Sequence, residues 1–131
     1  MPKINVVCPH CGGVNSIPVK DSYNKASCGH CKGSLLETKP VVLTPATFDR
    51  LLINDERLIL IDFWAPWCGP CRSMAPSFEE AARHFPLKVQ FAKVDTQEHQ
   101  AIAAKFSIRS IPTVMAFKNN RLMDQFSGAL G

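Results

Sequence analysis

The sequence predicts an α/β domain with a mixed central sheet flanked by helices, preceded by a small module that depends on its cysteines. Three observations carry this. From about residue 40 onward the apolar residues fall into strand-like and helix-like segments in the order βαβαβαββ. Residues 1–37 are rich in Gly, Ser, Asn, Lys and Cys and hold only short apolar pairs. A piece that small does not bury enough surface to fold unaided, and below about 40 residues a metal or a disulfide is usually needed. Finally, four of the six cysteines lie in that piece, as two C-x-x-C units. These observations divide the chain into a cysteine module, 1–37, and an α/β domain, 38–131, with Pro40 stiffening the junction.

The elements follow in order. "VVLT" (41–44) is a short strand. Thr44 before Pro45 reads as an N-cap with proline in the first helical turn, and Phe48, Leu51 and Leu52 then share one helical face. "LILIDFW" (58–64), a continuous apolar run holding one acid, is a buried central strand. A helix runs from Pro70 to about Phe85, with Met74, Phe78, Ala81 and Phe85 as its inner stripe and Pro76 kinking it. "KVQFAKVD" (88–95) is a strand. "EHQAIAAKF" (98–106) is a short helix that turns Ile102 and Phe106 inward. "TVMAFK" (113–118) and "RLMDQFS" (121–127), joined at Asn119–Asn120, form a β-hairpin.

Composition sets limits. With 46% apolar and 20% charged residues the 131-residue chain is ordinary globular material. No run of 18 apolar residues is present, so no membrane partner is expected, and the N-terminus lacks an apolar stretch of signal-peptide length. A cytoplasmic location follows as the expectation. In a reducing compartment, paired C-x-x-C units bind metal or do redox work more often than they form scaffold disulfides.

The three C-x-x-C units are not equivalent. A redox dithiol needs an attacking sulfur ionised near neutral pH, which a helix N-terminus favours through its unpaired N–H groups and macrodipole. "WCGPCRSMAPSFEEAARHF" follows a strand and opens an amphipathic helix. Gly69 permits the tight entry and Pro70 suits the first turn, so Cys68 sits at the cap and Cys71 one turn inside. The alternative is a buried structural pair. "CPHCGG" and "CGHCKG" each meet glycine too early for a helix and resemble knuckles in which backbone N–H groups turn toward the sulfurs. Together they read C-x2-C-x16-C-x2-C, which assigns Cys8, Cys11, Cys28 and Cys31 to one Zn2+ bound by four thiolates, in a structural or redox-sensing role. Free dithiols or disulfides are the alternatives. His10 and His30 are alternative ligands, though solvent-facing positions in the knuckle loops suit them better.

With these residues placed, "ILIDFWAPWCGPCRSMAP" closely resembles the active-site segment of thioredoxins, and "SIPT" (110–113) resembles their substrate-facing loop. The likeness runs from about residue 41 to the C-terminus. The added cysteines are similar to those of zinc-binding bacterial members. The resemblance implies a thioredoxin fold and a protein-disulfide reductase recharged by a NADPH-dependent thioredoxin reductase, with oxidised protein disulfides as substrates and no organic cofactor. It implies that an exposed Cys68 attacks the substrate disulfide and a buried Cys71 resolves the mixed disulfide. It places Asp62 behind Cys71 as proton acceptor, its pKa raised by burial, and pairs Lys93 with that acid. A satisfied structural acid and a solvated lysine are the alternatives. The resemblance also implies a substrate surface of Trp67, Gly69, Pro70, Ile111, Pro112 and Gly128, with Ile111–Pro112 cis and Trp67 shielding the site while Trp64 packs structurally. An ordinary turn is the alternative for Gly128. The sequence ends at "SGALG", where the family continues into a final helix, so a partly bare sheet face and lower stability are expected.

The competing class is a binding module in which a zinc ribbon docks nucleic acid. Residues 1–39 carry five lysines against two acids. Four thiolates on Zn2+ would bring that centre to −2 and offset most of the excess, and Tyr23 is the one aromatic residue there for stacking. Nucleic acid is therefore disfavoured as a partner. An oxidase or isomerase is disfavoured by Gly69–Pro70.

Overall fold

The computed structural model describes residues 2–128, so the expectation about a final helix lies outside the described residues. The α/β part carries a five-stranded sheet of β3 (Val41–Val42), β4 (Leu58–Trp64), β5 (Val89–Asp95), β6 (Thr113–Lys118) and β7 (Arg121–Ser127). Its strand order is β3-β5-β4-β6-β7. β5 runs parallel to β3 and β4, whereas β4–β6 and β6–β7 are antiparallel, giving the expected mixed sheet. Helices α1 (Pro45–Asn54), α2 (Gly69–Arg83) and α3 (Gln100–Lys105) complete it. Among the described residues no helix is long and apolar enough to cross a membrane.

Local chemistry explains the elements. Thr44 caps α1 reciprocally: its Oγ1 accepts the Thr47 N–H at 3.4 Å, and the Thr47 Oγ1 accepts the Thr44 N–H at 2.9 Å. Asn119 and Asn120 take positive φ of 52° and 61°, as a two-residue hairpin turn requires. In central β4, Ile59, Ile61 and Phe63 enter the main core with Phe48, Leu51 and Leu52 of α1 and Ile102 of α3. The alternate residues Leu60, Asp62 and Trp64 line the cavities on the α2 side. Phe106 is half-buried against Phe48, Phe63 and Phe117, with centroids 5.6–6.2 Å away.

Three elements depart from the sequence reading. β3, expected over 41–44, is only two residues long, because Thr44 already serves as helix cap. α2 stops at Arg83, and the chain tightens there, with the Phe85 N–H on the Ala82 carbonyl. Phe85 is consequently 46% exposed, and the inner face of α2 is Cys71, Met74 and Ala82, with Phe78 half-buried edge-on to Phe91. The N-terminal piece contains an antiparallel hairpin, β1 (Lys3–Val7) and β2 (Val14–Pro18), which its short apolar pairs did not announce.

That hairpin is bound tightly to the α/β part. Val7 joins the main core, while Leu87, which precedes β5, packs with Val6, Cys8, Ile17, Cys28 and Leu35. The outer edge of β1 is covered by residues 55–56. The Asn5 N–H donates to Glu56 Oε1 at 2.6 Å and the Val7 N–H to Asp55 Oδ2 at 3.0 Å, while the Glu56 N–H donates to the Asn5 carbonyl at 2.9 Å. Asp55, 1% exposed, also holds Arg57, 5% exposed. Its Oδ1 accepts from Arg57 N and Nε at 3.0 and 2.9 Å, and Arg57 Nη2 bridges Asp55 Oδ2 at 2.6 Å and Gln90 Oε1 at 2.9 Å. This network escaped the sequence reading, since "NDER" between a helix and a strand looks like a solvated loop.

Candidate active site and metal centre

Cys68 is the N-cap of α2, with extended backbone at φ −83° and ψ 108°, and its Sγ accepts the Cys71 N–H at 3.1 Å. An N–H aimed at that sulfur is the arrangement that stabilises a thiolate once the bond is reduced. Gly69 and Pro70 form the first helical turn between the cysteines, and no side chain lies near enough to Gly69 to crowd a Cβ there. In this structure Cys68 and Cys71 form a disulfide.

Two expectations about exposure need correction. Cys68 is as buried as Cys71, at 3% and 2%, because Trp64 and Ile111 pack on the pair and Cys68 Sγ lies 3.8 Å from the Ile111 carbonyl oxygen. Trp67 does not shield it: at 67% exposure it stands in solvent beside the motif. Environment rather than depth distinguishes the sulfurs, since Cys68 receives the helix N–H while Cys71 lines the cavity that holds Asp62.

The Ile111–Pro112 bond is cis. Pro112 is fully buried, and its carbonyl accepts the Gly128 N–H at 2.8 Å. Gly128 has φ +89° with open space where a Cβ would lie, so backbone conformation, not crowding, calls for glycine there. The loop therefore sets Ile111 against Cys68 and ties Pro112 to Gly128.

Asp62 is 3% exposed, and its Oδ1 has no hydrogen-bond partner among the described residues. It shares a cavity of about 60 Å³ with Cys71 and Lys93. Burial pushes its pKa up to about 6, opposed by the positive charge of Lys93. Lys93 sits opposite Asp62 in the β4–β5 register, but no contact of salt-bridge length joins them; its ammonium lies 4.8 Å from the Trp64 ring centroid. Trp64 thus positions the cation as well as packing.

A raised carboxyl pKa has a definite consequence for stability. Between about pH 4 and pH 6 the folded protein holds a proton that the unfolded chain has released, so stability falls as pH rises through that window. Asp62→Asn is expected to stabilise the oxidised protein by about 2–3 kcal/mol at pH 7 and by nothing below pH 4. Urea unfolding at both pH values measures this, and an equal effect at both would refute it.

The remaining four cysteines are free thiols whose Sγ atoms all lie within 4.8 Å of one another. Cys8–Cys31 and Cys11–Cys28 are 3.7 and 3.6 Å apart. A tetrahedron with zinc–sulfur bonds of about 2.3 Å has edges of about 3.8 Å, so the cluster fits that ion. The two knuckles repeat each other. His10 and Gly13 N–H groups donate to Cys8 and Cys11 at 3.4 and 3.3 Å, and His30 and Gly33 N–H groups to Cys28 and Cys31 at 3.3 and 3.4 Å. Lys32, at φ 66°, holds the place that Gly12 holds at φ 78° in the first knuckle. Asn15, unremarked in the sequence, donates from Nδ2 to Cys28 Sγ at 3.4 Å. That bond leads the causes that lower the Cys28 pKa to about 5, while burial raises Cys8 to about 11.

The histidines are exposed, as expected. Although their side chains reach solvent, each crosses to the opposite knuckle. His10 Nε2 lies 3.0 Å from the Ser34 carbonyl and His30 Nε2 lies 3.2 Å from the Val14 carbonyl. The His30 ring covers Gly13 and the His10 ring covers Gly33, where an added Cβ would come within 2.5 and 2.9 Å of them. Neither histidine belongs to the ligand cluster.

A helix-capping cysteine disulfide-bonded one turn into its helix, on a mixed α/β sheet, defines a thiol–disulfide oxidoreductase. The chain belongs to the thioredoxin family, whose sequence model matches residues 39–131. It is 38% identical over 125 residues to thioredoxin C-3 of Corynebacterium nephridii, covering 95% of this chain and 86% of that one. It is 42% identical over 88 residues to thioredoxin 1 of a Nostoc species, covering 67% and 82%. The crystal structure of Fasciola hepatica thioredoxin superposes with a TM-score of 0.64 at 46% identity over 68% of this chain and 86% of that one. The short form of spinach chloroplast thioredoxin F superposes at 0.68 with 31% identity, covering 72% and 86%.

Proposed function

We propose that the chain is a cytosolic protein-disulfide reductase of the zinc-binding bacterial thioredoxin 2 type, working through Cys68 and Cys71 and recharged by a NADPH-dependent thioredoxin reductase. The observation that carries this is the Cys71 N–H on Cys68 Sγ at the start of α2. The Cys68 thiolate attacks one sulfur of a substrate disulfide, forms a mixed disulfide and expels the other sulfur as a thiolate. The Cys71 thiol passes its proton to Asp62, and its sulfur attacks Cys68 Sγ, expelling the second substrate thiolate. The substrate gains two electrons and the chain is left with the disulfide described above. Ile111, Gly128 and the exposed Trp67 present the surface on which an extended substrate lies, beside Gly69 and Pro70, and the buried Pro112 holds the loop beneath them. Lys93 holds the Asp62 carboxylate in readiness.

Cys8, Cys11, Cys28 and Cys31 would hold one Zn2+, which supplies a redox-inert cross-link of the N-terminal piece. The similarity to thioredoxin C-3 spans 95% of the chain and so takes in most of that piece. Free thiols at these positions suit a reducing compartment. A nucleic-acid role gains nothing from Tyr23, whose hydroxyl is tied to the Pro18 carbonyl at 2.7 Å and to the Lys20 N–H at 3.1 Å.

Two measurements on the reduced chain test the reading. With NADPH and thioredoxin reductase it is expected to reduce insulin, and it is expected to contain one zinc per chain with two freely titratable thiols. Six titratable thiols in metal-replete protein would remove the zinc assignment, and inert Cys68 and Cys71 would remove the reductase.

A further inference from the structure

The cavity behind Cys71 has an unexpected wall. Asp62 and Lys93 enter it from β4 and β5, and Cys71, Arg72 and Glu79 from α2, but Pro40 comes from the segment joining the cysteine hairpin to the sheet. Pro40 is buried. The residues before it, Glu37 to Lys39, line a neighbouring cavity with Glu79 and Arg83 of α2, and the two cavities share Pro40 and Glu79. Only eight residues separate Cys31 from Pro40.

Proline is apt at this place. It has no N–H, so its backbone nitrogen offers nothing to the unpartnered Asp62 Oδ1, and its ring presents only carbon. A carboxylate facing such a wall stays poorly solvated.

We propose that Pro40 is a positioning residue for the proton step, its ring screening one side of the Asp62 cavity from solvent so that the carboxylate stays dry enough to take the Cys71 proton. This rests on the reading above, in which the thiol and Asp62 carboxylate become a thiolate and carboxylic acid and the proton then leaves to water. The charged groups facing Asp62 are Lys93 from β5 and Arg72 and Glu79 from α2. β6 places uncharged Val114 opposite it. Glu37 and Lys39 line the neighbouring cavity with Glu79 and Arg83 instead. Opening the Pro40 wall therefore changes solvation without removing a charge.

The test is a carboxyl-carbon NMR titration of Asp62 in the oxidised full chain, as wild type, Pro40→Ala and Pro40→Gly. The midpoint is expected near 6 in the wild type. It should fall by about one unit in Pro40→Gly and by less in Pro40→Ala. A midpoint within about 0.2 units of wild type in the folded variants overturns the proposal. Should Pro40→Gly fail to fold, Pro40→Ala decides by the same criterion. Insulin reduction by Asp62→Asn is measured in parallel. An unchanged rate and pH profile there would remove Asp62 as proton acceptor, while the titration still shows whether Pro40 screens the cavity.

Discussion

Cys68→Ser is expected to abolish insulin reduction, leaving only the rate seen without the protein, while Cys71→Ser is expected to stall with substrate attached. A serine hydroxyl at the helix cap still accepts the Cys71 N–H, but it is not ionised at neutral pH and does not exchange with disulfides. In Cys71→Ser the capping sulfur retains its role and attacks, yet nothing expels it from the mixed disulfide. Non-reducing gel electrophoresis therefore separates the two: a covalent adduct accumulates in Cys71→Ser and is absent from Cys68→Ser. Since both sulfurs are almost equally buried, this asymmetry must arise from the helix N–H and the neighbouring carboxylate. Adducts through Cys68→Ser would overturn the assignment of roles.

Asp55→Ala is expected to destabilise the protein by about 3–5 kcal/mol, measured by urea unfolding of the oxidised chain. The substitution strands the buried Arg57 guanidinium and removes the acceptor of the Val7 N–H, so it loosens β1 from the sheet core as well as leaving a charge uncompensated. Replacing both charges, as in Asp55→Ala with Arg57→Met, is expected to cost less than the single change, because an apolar pair leaves no stranded ion. A single-variant cost below about 1 kcal/mol would mean that Arg57 finds water instead.

Much of this was legible in the sequence, for physical reasons. β4 showed as seven apolar-rich residues because a strand covered on both faces must be so, and its one acid stood out against that background. The dithiol was legible because a cap, a glycine and a proline in a row describe a helix start whatever the fold. The four-sulfur site was legible from spacing alone. What remained hidden depends on distant partners. Nothing near Pro40 in sequence announces that it borders a cavity reaching Cys71. Asp55 and Arg57 drew no attention in the sequence because Val7 and Gln90, which they bond, are 48 and 33 residues away. The solvent-facing histidines were legible, but their ring contacts were not, since each is fastened by the opposite knuckle.

That crossed fastening has a consequence for the amino-terminal piece. Each half supplies the lid of the other, so neither can be exchanged, shortened or grown separately without undoing both. Transplanting such a device onto another scaffold would mean carrying the whole of residues 8–34 as one indivisible part.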